Sequence, residues 1–106
     1  KLEGNLEIGK GSVVKNSILR GPISIAKDVT IENAYIGPFT SIGDGSIVKN
    51  AEIENSILMG SCNIHDLNQR LDSCLIGWNA EVTTKESHPK ADTLFIGDDS
   101  KVELAK

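Results

Sequence analysis

The chain has 106 residues with a formal net charge of −4, and only 4% of its residues are aromatic. This length suits one domain, and an acidic balance with scattered lysines argues against nucleic acid or an anionic membrane as the partner. No apolar run reaches the roughly 18 residues of a membrane-spanning helix.

Large aliphatic residues recur every five or six positions, and this recurrence is the main structural signal of the chain. The series is Leu2, Ile8, Val14, Leu19, Ile25, Ile31, Ile36, Ile42, Val48, Ile53, Leu58, Ile64, Leu71, Ile76 and Val82. A small residue stands two positions before most of them, as Ala51 does before Ile53. Neither a helical period nor plain strand alternation produces this double register. It predicts an all-β fold, a single-stranded parallel β-helix of hexapeptide repeats whose faces each supply one large and one small inward side chain.

Similar six-residue units begin at Val14, Ile31 and Val48, which are 17 positions apart and therefore one coil apart. The third residue of each unit is an asparagine, so the corners of successive coils should stack asparagines on one another. Asparagine tolerates the left-handed backbone of a sharp corner, and stacked amides can form a hydrogen-bonded ladder. We expect the same corner conformation at the glycines that follow inward isoleucines, which are Gly9, Gly37, Gly43, Gly77 and Gly97.

We expect one domain over 1–106, with regular coils over 1–82, a loop excursion over 83–93 and terminal strands over 94–104. The polar, proline-containing composition of 83–93 favours a loop, and the terminal strands would form a short cap. A step of seven between Ile64 and Leu71 predicts a small bulge. Because no cap precedes Leu2, we expect the chain to be the C-terminal part of a longer protein whose preceding domain covers the open end.

Cys62 and Cys74 both fall on the small inward register. They are 12 positions apart, or two hexads, so they should lie on different faces of the prism and be unable to pair. We expect two free, buried thiols, as is usual in a reducing cytoplasm.

His65 and His88 are the candidate catalytic residues, since histidine titrates near neutral pH and both fall in segments that break the repeat. Surface histidines are commonly only solvated, so we assign no catalytic residue. No His or Cys pair has zinc-ligand spacing, and we expect no metal or cofactor site in this domain.

Several apolar residues occupy the outward register just before an inward aliphatic residue. Ile18 and Tyr35 are one coil apart and should stack, with Val13 and Ile47 beside them around the neighbouring edge. We call these four residues the docking strip and interpret it as an interface. The alternative is that they are ordinary single apolar side chains on a surface.

Four stretches of the chain resemble a known family, and the resemblance as a whole extends over nearly the entire chain. They are 20–25, 31–58, 72–77 and 94–104. They resemble the C-terminal β-helix domain of long-form glucose-1-phosphate thymidylyltransferases and related sugar-1-phosphate nucleotidyltransferases. Trp78 departs from the resemblance, since a polar or basic residue is expected after the Ile76–Gly77 corner.

The resemblance implies a left-handed coil and a cytoplasmic enzyme whose β-helix follows a nucleotide-binding catalytic domain. That domain would carry the magnesium site and the G-x-G-T-R-L signature, which is absent from this sequence. The resemblance therefore implies a non-catalytic assembly or regulatory domain. Its partners would be its own N-terminal catalytic domain or further copies of itself, a trimer being one form.

Two other functions stay open. Many left-handed β-helices are acyltransferases that use acetyl-CoA, in this case on an amino sugar, with a loop histidine such as His88 as the base. A purely structural β-helix is the third reading.

Overall fold

The computed structural model describes residues 1–85, 95–96 and 98–105, and within them the regular structure consists of β-strands alone. The strands in chain order are β1 (Leu2–Glu3), β2 (Leu6–Ile8), β3 (Val13–Lys15), β4 (Ile18–Arg20), β5 (Ile23–Ile25), β6 (Thr30–Glu32), β7 (Tyr35–Ile36), β8 (Thr40–Ile42), β9 (Ile47–Lys49), β10 (Glu52–Glu54), β11 (Ile57–Leu58), β12 (Asn63–His65), β13 (Leu71–Asp72), β14 (Leu75–Ile76), β15 (Glu81–Lys85), β16 (Phe95–Ile96) and β17 (Lys101–Ala105).

These strands form the three faces of a prism, and neighbouring strands within a face are parallel. Face A has the order β1-β4-β7-β10-β13, face B the order β2-β5-β8-β11-β14-β16, and face C the order β3-β6-β9-β12-β15-β17. Equivalent residues of successive coils are in register, as with Leu19, Ile36 and Ile53 on face A. The predicted parallel β-helix is confirmed.

The large inward residues fill the prism, as the repeat predicts. Those with essentially no exposed surface are Leu19, Val29, Ile31, Ile36, Ile42, Val48, Ile53, Leu58, Ile64, Leu71, Ile76 and Val82. Leu2 and Ile8 have the same register but are exposed, because their strands β1 and β2 are edge strands with one neighbour each. Burial of a dozen large aliphatic side chains is the main stabilising term of the fold.

The small inward residues tie successive coils together where the residue is serine. Ser17 Oγ donates to the carbonyl of Lys15 at 2.7 Å and accepts from the amide of Ala34 in the next coil at 3.0 Å. Ser56 Oγ does the same with the carbonyl of Glu54 and the amide of Cys74. A short side chain thus fits the corner and satisfies a buried amide.

Cys62 and Cys74 are free and buried, as predicted. Cys62 precedes β12 on face C, whereas Cys74 precedes β14 on face B. The expectation that they lie on different faces is confirmed.

The asparagine corner is confirmed in both its backbone and its side chains. Asn16, Asn33 and Asn50 have φ values of 48°, 53° and 51°. The amide of Asn16 donates to Asn33 at 3.2 Å, and that of Asn33 donates to Asn50 at 2.6 Å. The ladder ends where Asn50 donates to Oδ1 of Asp66 at 2.8 Å.

The predicted corner role of the glycines after isoleucine is wrong where the structure describes them. Gly9, Gly37, Gly43 and Gly77 are absent from the residues with positive φ, and Gly97 lies outside the described residues. The left-handed positions come two residues later. They are Phe39 after Gly37, and Gly11, Asp28, Gly45, Ser61, Asn79 and Asp99 at the corner that contains Gly9, Gly43 and Gly77. Gly43 is needed for space instead, since a Cβ there would collide with the carbonyl of Met59 in the next coil.

The boundary predicted at residue 82 needs a correction. Strand β15 continues to Lys85 and pairs with β17, so residues 83–85 belong to face C rather than to the expected loop excursion. Pairing with a following strand explains the extension, since each further residue adds ladder hydrogen bonds. Residues 86–94 lie outside the described residues. The bulge predicted after Ile64 is confirmed as the non-strand segment 66–70.

Candidate functional site

His65 lies at the end of β12 on face C, with its side chain 26% exposed. Its strand neighbours in register are Lys49 in the preceding coil and Thr83 in the following coil. The side chain belongs to the outward register, so it lies on the surface of the prism and not in its core.

Both ring nitrogens of His65 are held by carboxylates. Nδ1 lies 2.9 Å from Oδ2 of Asp66, and Nε2 lies 2.7 Å from Oε2 of Glu81. The other oxygen of Asp66 accepts the last hydrogen bond of the asparagine ladder, from Asn50. The ladder therefore continues through Asp66 and His65 to Glu81 in the following coil.

Each of the three groups has a pKa shifted toward its charged form. The hydrogen bond to Asp66, followed by that to Glu81, raises the pKa of His65. The hydrogen bond from His65 lowers the pKa of Asp66 and that of Glu81, and Asn50 lowers that of Asp66 further. A protonated imidazole donates from both nitrogens, whereas a general base needs a free lone pair at working pH. This geometry favours a structural role for His65, joining two coils.

His88, the other candidate base, lies outside the described residues. No described side chain can therefore be related to it. A catalytic role for either histidine stays a prediction.

The docking strip is divided between two faces of the prism. Ile18 and Tyr35 are register neighbours on face A, as predicted. Val13 and Ile47 lie on face C, with Thr30 between them. Val13, Ile18 and Ile47 are exposed, but Tyr35 is partly buried. The strip is thus less continuous than its spacing suggests.

Two arginines cover the ring of Tyr35. The guanidinium carbon of Arg70 lies 4.6 Å from the ring centroid and that of Arg20 lies 5.9 Å from it. Arg70 also donates to Glu52 and Glu54, at 3.0 Å and 2.8 Å, and these bonds raise its pKa. These contacts were not foreseen. The outward position of Arg70 was readable from the register, but its reach across a whole coil to Tyr35 was not.

A groove of about 340 Å³ runs along the first half of face B, and it too was not foreseen. Ser24, Ser41, Phe39 and Ile57 are among the residues that line it, and Glu7 is a charged residue of the lining. The hydroxyl of Thr40, buried beneath it, has no hydrogen-bond partner in the structure. The outward column of Ser24 and Ser41 continues with Ile57, which also lines the groove, and then with Leu75.

Within the part of the chain that the structure describes, no three His, Cys, Asp or Glu side chains are placed to hold a metal ion. None of its described segments is a helix of the length and apolarity that crossing a membrane requires.

No family model matches the chain. Sequence comparison with known proteins gives a consistent picture. The chain is 39% identical over 101 residues to a glucose-1-phosphate thymidylyltransferase of Streptomyces antibioticus. This match covers 95% of the chain and 28% of the relative. Over 104 residues it is 33% identical to a protein of the same name from Streptomyces griseus, covering 98% of this chain and 29% of that protein.

A third relative is more distant. The low-salt glycan biosynthesis nucleotidyltransferase Agl11 of Haloferax volcanii is 32% identical over 71 residues, which is 66% of this chain and 20% of that protein. The chain thus spans less than a third of the length of the relatives it matches. The resemblance drawn from the sequence is confirmed, and it applies to one part of such proteins.

Proposed function

Because this chain belongs with one part of the glucose-1-phosphate thymidylyltransferases, we propose that it is the non-catalytic assembly and regulatory domain of a sugar-1-phosphate nucleotidyltransferase. The observation that carries the proposal is the extent of the match. It takes in 95% of this chain but 28% of the relative, so most of the relative lies outside the matched part.

The surface chemistry supports a scaffold. On face A, Arg70 is engaged by Glu52 and Glu54. On face C, His65 is engaged by Asp66 and Glu81. Titratable groups held in ion pairs on a rigid prism stabilise the fold and are poorly placed to exchange protons with a substrate.

The nucleotidyl-transfer chemistry belongs, on this proposal, to an N-terminal catalytic domain that also holds Mg²⁺. The described residues of this chain do not fit such a site, since Mg²⁺ requires converging oxygen ligands and the clustered carboxylates here bind Arg70 and His65. The partners are that catalytic domain and further copies of the chain. Two buried free thiols, Cys62 and Cys74, suit the reducing cytoplasm.

The test compares the whole parent protein with a version that lacks residues 1–106. We expect the shortened protein to retain transfer between dTTP and glucose 1-phosphate at saturating substrate, while light scattering shows loss of its oligomeric mass or its response to effectors. Loss of turnover with mass and regulation unchanged would contradict the proposal, because this domain would then take part in chemistry.

A calorimetric titration of this chain with acetyl-CoA tests the acyltransferase alternative, which depends on His88. We expect flat heats and an unchanged melting temperature. Saturable binding, abolished together with acetyl transfer in His88→Ala, would instead make the chain an acyltransferase.

A further inference from the structure

Face B carries fewer charged side chains than faces A and C when both of its outward columns, over β2 to β14, are taken together. The column before its inward aliphatic residues begins with Glu7 and then reads Ser24, Ser41, Ile57 and Leu75 over four successive coils, and these residues are register neighbours. Face C has a column of Val13, Thr30, Ile47 and Asn63 before its inward aliphatic residues and a charged column of Lys15, Glu32, Lys49 and His65 after them. On face B the residues after the inward aliphatic residues are instead Gly9, Ala26, Gly43, Met59 and Gly77. Beyond Glu7 the first column of face B has no charged side chain from Ser24 to Leu75, and depletion of charge is typical of the centre of a protein interface.

Exposed apolar side chains also concentrate on this face and its two edges. Phe39 is 70% exposed, Ile57 51%, Met59 44% and Trp78 43%. Trp78 lies flat against the preceding coil, since a Cβ on Gly60 would collide with its ring. Bulky apolar groups held rigidly at the surface suit a docking site.

The two halves of face B have complementary shapes. The first half is hollow, because small Ser24 and Ser41 line the groove of about 340 Å³. The second half carries larger apolar side chains in the same column, Ile57, which is 51% exposed, and the partly buried Leu75. A surface with a hollow and a ridge of matching chemistry can pair with itself about a two-fold axis.

We propose that a second copy of this chain docks on face B in an antiparallel arrangement. This inference rests on the assembly role proposed above and names the surface that performs it. The two-fold axis lies in the interface, across the prism, between the levels of β8 and β11. Ile57 then meets Ser41 of the second copy, and Leu75 meets Ser24 of the second copy.

The edge between faces B and C supports this register by its charges. Backbone bonds between coils place Lys10, Lys27, Asp44, Gly60 and Trp78 one above another, and the amide of Trp78 bonds Asp98 in the next coil. The same two-fold axis brings Lys10 opposite Asp98 of the second copy. It also brings Lys27 opposite Trp78, a cation and an aromatic ring. Opposite charges meet twice in one dimer, since an isologous contact repeats each pair.

The size of the face sets the strength of the contact. The molecule measures 36 × 24 × 20 Å along its principal axes, and five coils stack at about 4.8 Å each. The two copies would bury roughly 1,000 Å² in total, at the lower limit of specific interfaces. We therefore expect a weak, concentration-dependent dimer of the isolated chain, strengthened when the domain belongs to a larger assembly.

Cysteine cross-linking tests the register. Ser24→Cys and Leu75→Cys are introduced together in a Cys62→Ser, Cys74→Ser background, since serine occupies the same register one coil earlier at Ser46 and Ser56. Three coils, about 14 Å, separate the two new thiols within one copy, too far for a disulfide. We expect a disulfide-linked dimer from the double variant and none from either single variant. Cross-linking of Ser24→Cys alone would overturn the antiparallel register, because it requires equal coils to face each other.

Sedimentation of single variants tests the surface. Ile57→Glu should raise the dimer dissociation constant more than about tenfold, while Ile18→Glu, a matched outward isoleucine on face A, should leave it unchanged. The opposite result would place the interface on the docking strip and overturn the inference.

Different experimental results would refute the assembly role and the docking on face B. A chain that stays monomeric and uncross-linked, while deletion of 1–106 still disperses the parent protein, refutes docking on face B and leaves the assembly role intact. A parent protein that keeps its mass and its regulation without these residues refutes the assembly role itself.

Discussion

Nε2 of His65 lies 2.7 Å from Oε2 of Glu81, so a ring on β12 and a carboxylate on β15 join two paired strands of face C. The pair is one end of a polar line that starts at the stacked asparagines and passes through Asp66. It links coils where no large aliphatic side chain can do so, on the outside of the prism.

This pair makes the stability of the chain depend on pH. The pKa of His65 is raised on folding, so its contribution is fully present below its unfolded pKa of about 6.5. The contribution disappears as the pH rises through the higher folded value. The pKa values of Asp66 and Glu81 are lowered, so their contributions disappear as the pH falls through the folded values. We expect the cluster to stabilise most between about pH 5 and 6.5.

Urea unfolding of the parent chain and of His65→Gln measures this effect. The difference in free energy of unfolding between them should be larger at pH 6 than at pH 9. Lys49, in register with His65, and Lys101, near Glu81, are present in both proteins, so their direct effects cancel in the comparison. An equal difference at both pH values would show that the imidazole is not held as a cation.

The asparagine corner separates a backbone effect from a side-chain effect. Asn33 has φ 53° and bonds the asparagines above and below it. Asn33→Gly removes the amide but keeps the left-handed backbone, whereas Asn33→Ala loses both. We expect Asn33→Ala to cost about 1–2 kcal/mol more than Asn33→Gly in urea unfolding. Equal losses would mean that the amide ladder, and not the backbone, selects asparagine.

Two glycines of one corner should respond to alanine for different reasons. At Gly45, with φ 71°, a Cβ has room but the backbone is unfavourable, so Gly45→Ala should cost about 1–2 kcal/mol. At Gly43 a Cβ collides with the carbonyl of Met59 in the next coil. The coils must therefore separate, and Gly43→Ala should lower the thermal midpoint more than Gly45→Ala. The reverse order would contradict the close approach at Gly43.

The corners also show what the sequence can predict. The inward aliphatic positions were readable, because each coil repeats the environment of the last and one register decides burial. The asparagine ladder was readable for the same reason. Gly43 was misread because a glycine is consistent with either a left-handed backbone or a close approach, and only the neighbouring coil distinguishes them.

The conformations of long side chains on the surface were harder to predict from the sequence. Arg70 reaches past Glu52 to the ring of Tyr35, two coils away, and a long flexible side chain has many alternatives of similar energy. Trp78 stands where a polar residue was expected. Its ring packs on Gly60, which lies one coil earlier in the same corner column. The spacing of this glycine and this tryptophan in the sequence was therefore sufficient to predict that the ring covers the glycine.

The small inward register offers the most direct test of the core. Ala51 is buried, and it lies in the column that begins with Ser17 and Ala34, as the backbone bonds from Ile18 and Tyr35 show. Ala51→Leu adds three carbon atoms where the coil has no space, so we expect a loss of about 1–3 kcal/mol in the free energy of unfolding. Ala51→Ser is the matched control, because Ser17 shows that a hydroxyl at this position bonds the neighbouring backbone. Thermal and urea unfolding of both variants gives the comparison. Suppose that Ala51→Leu had the same melting temperature as the parent chain and Ala51→Ser had a lower one. The corner would then have unfilled space, and packing would not determine which inward positions take large and which take small residues.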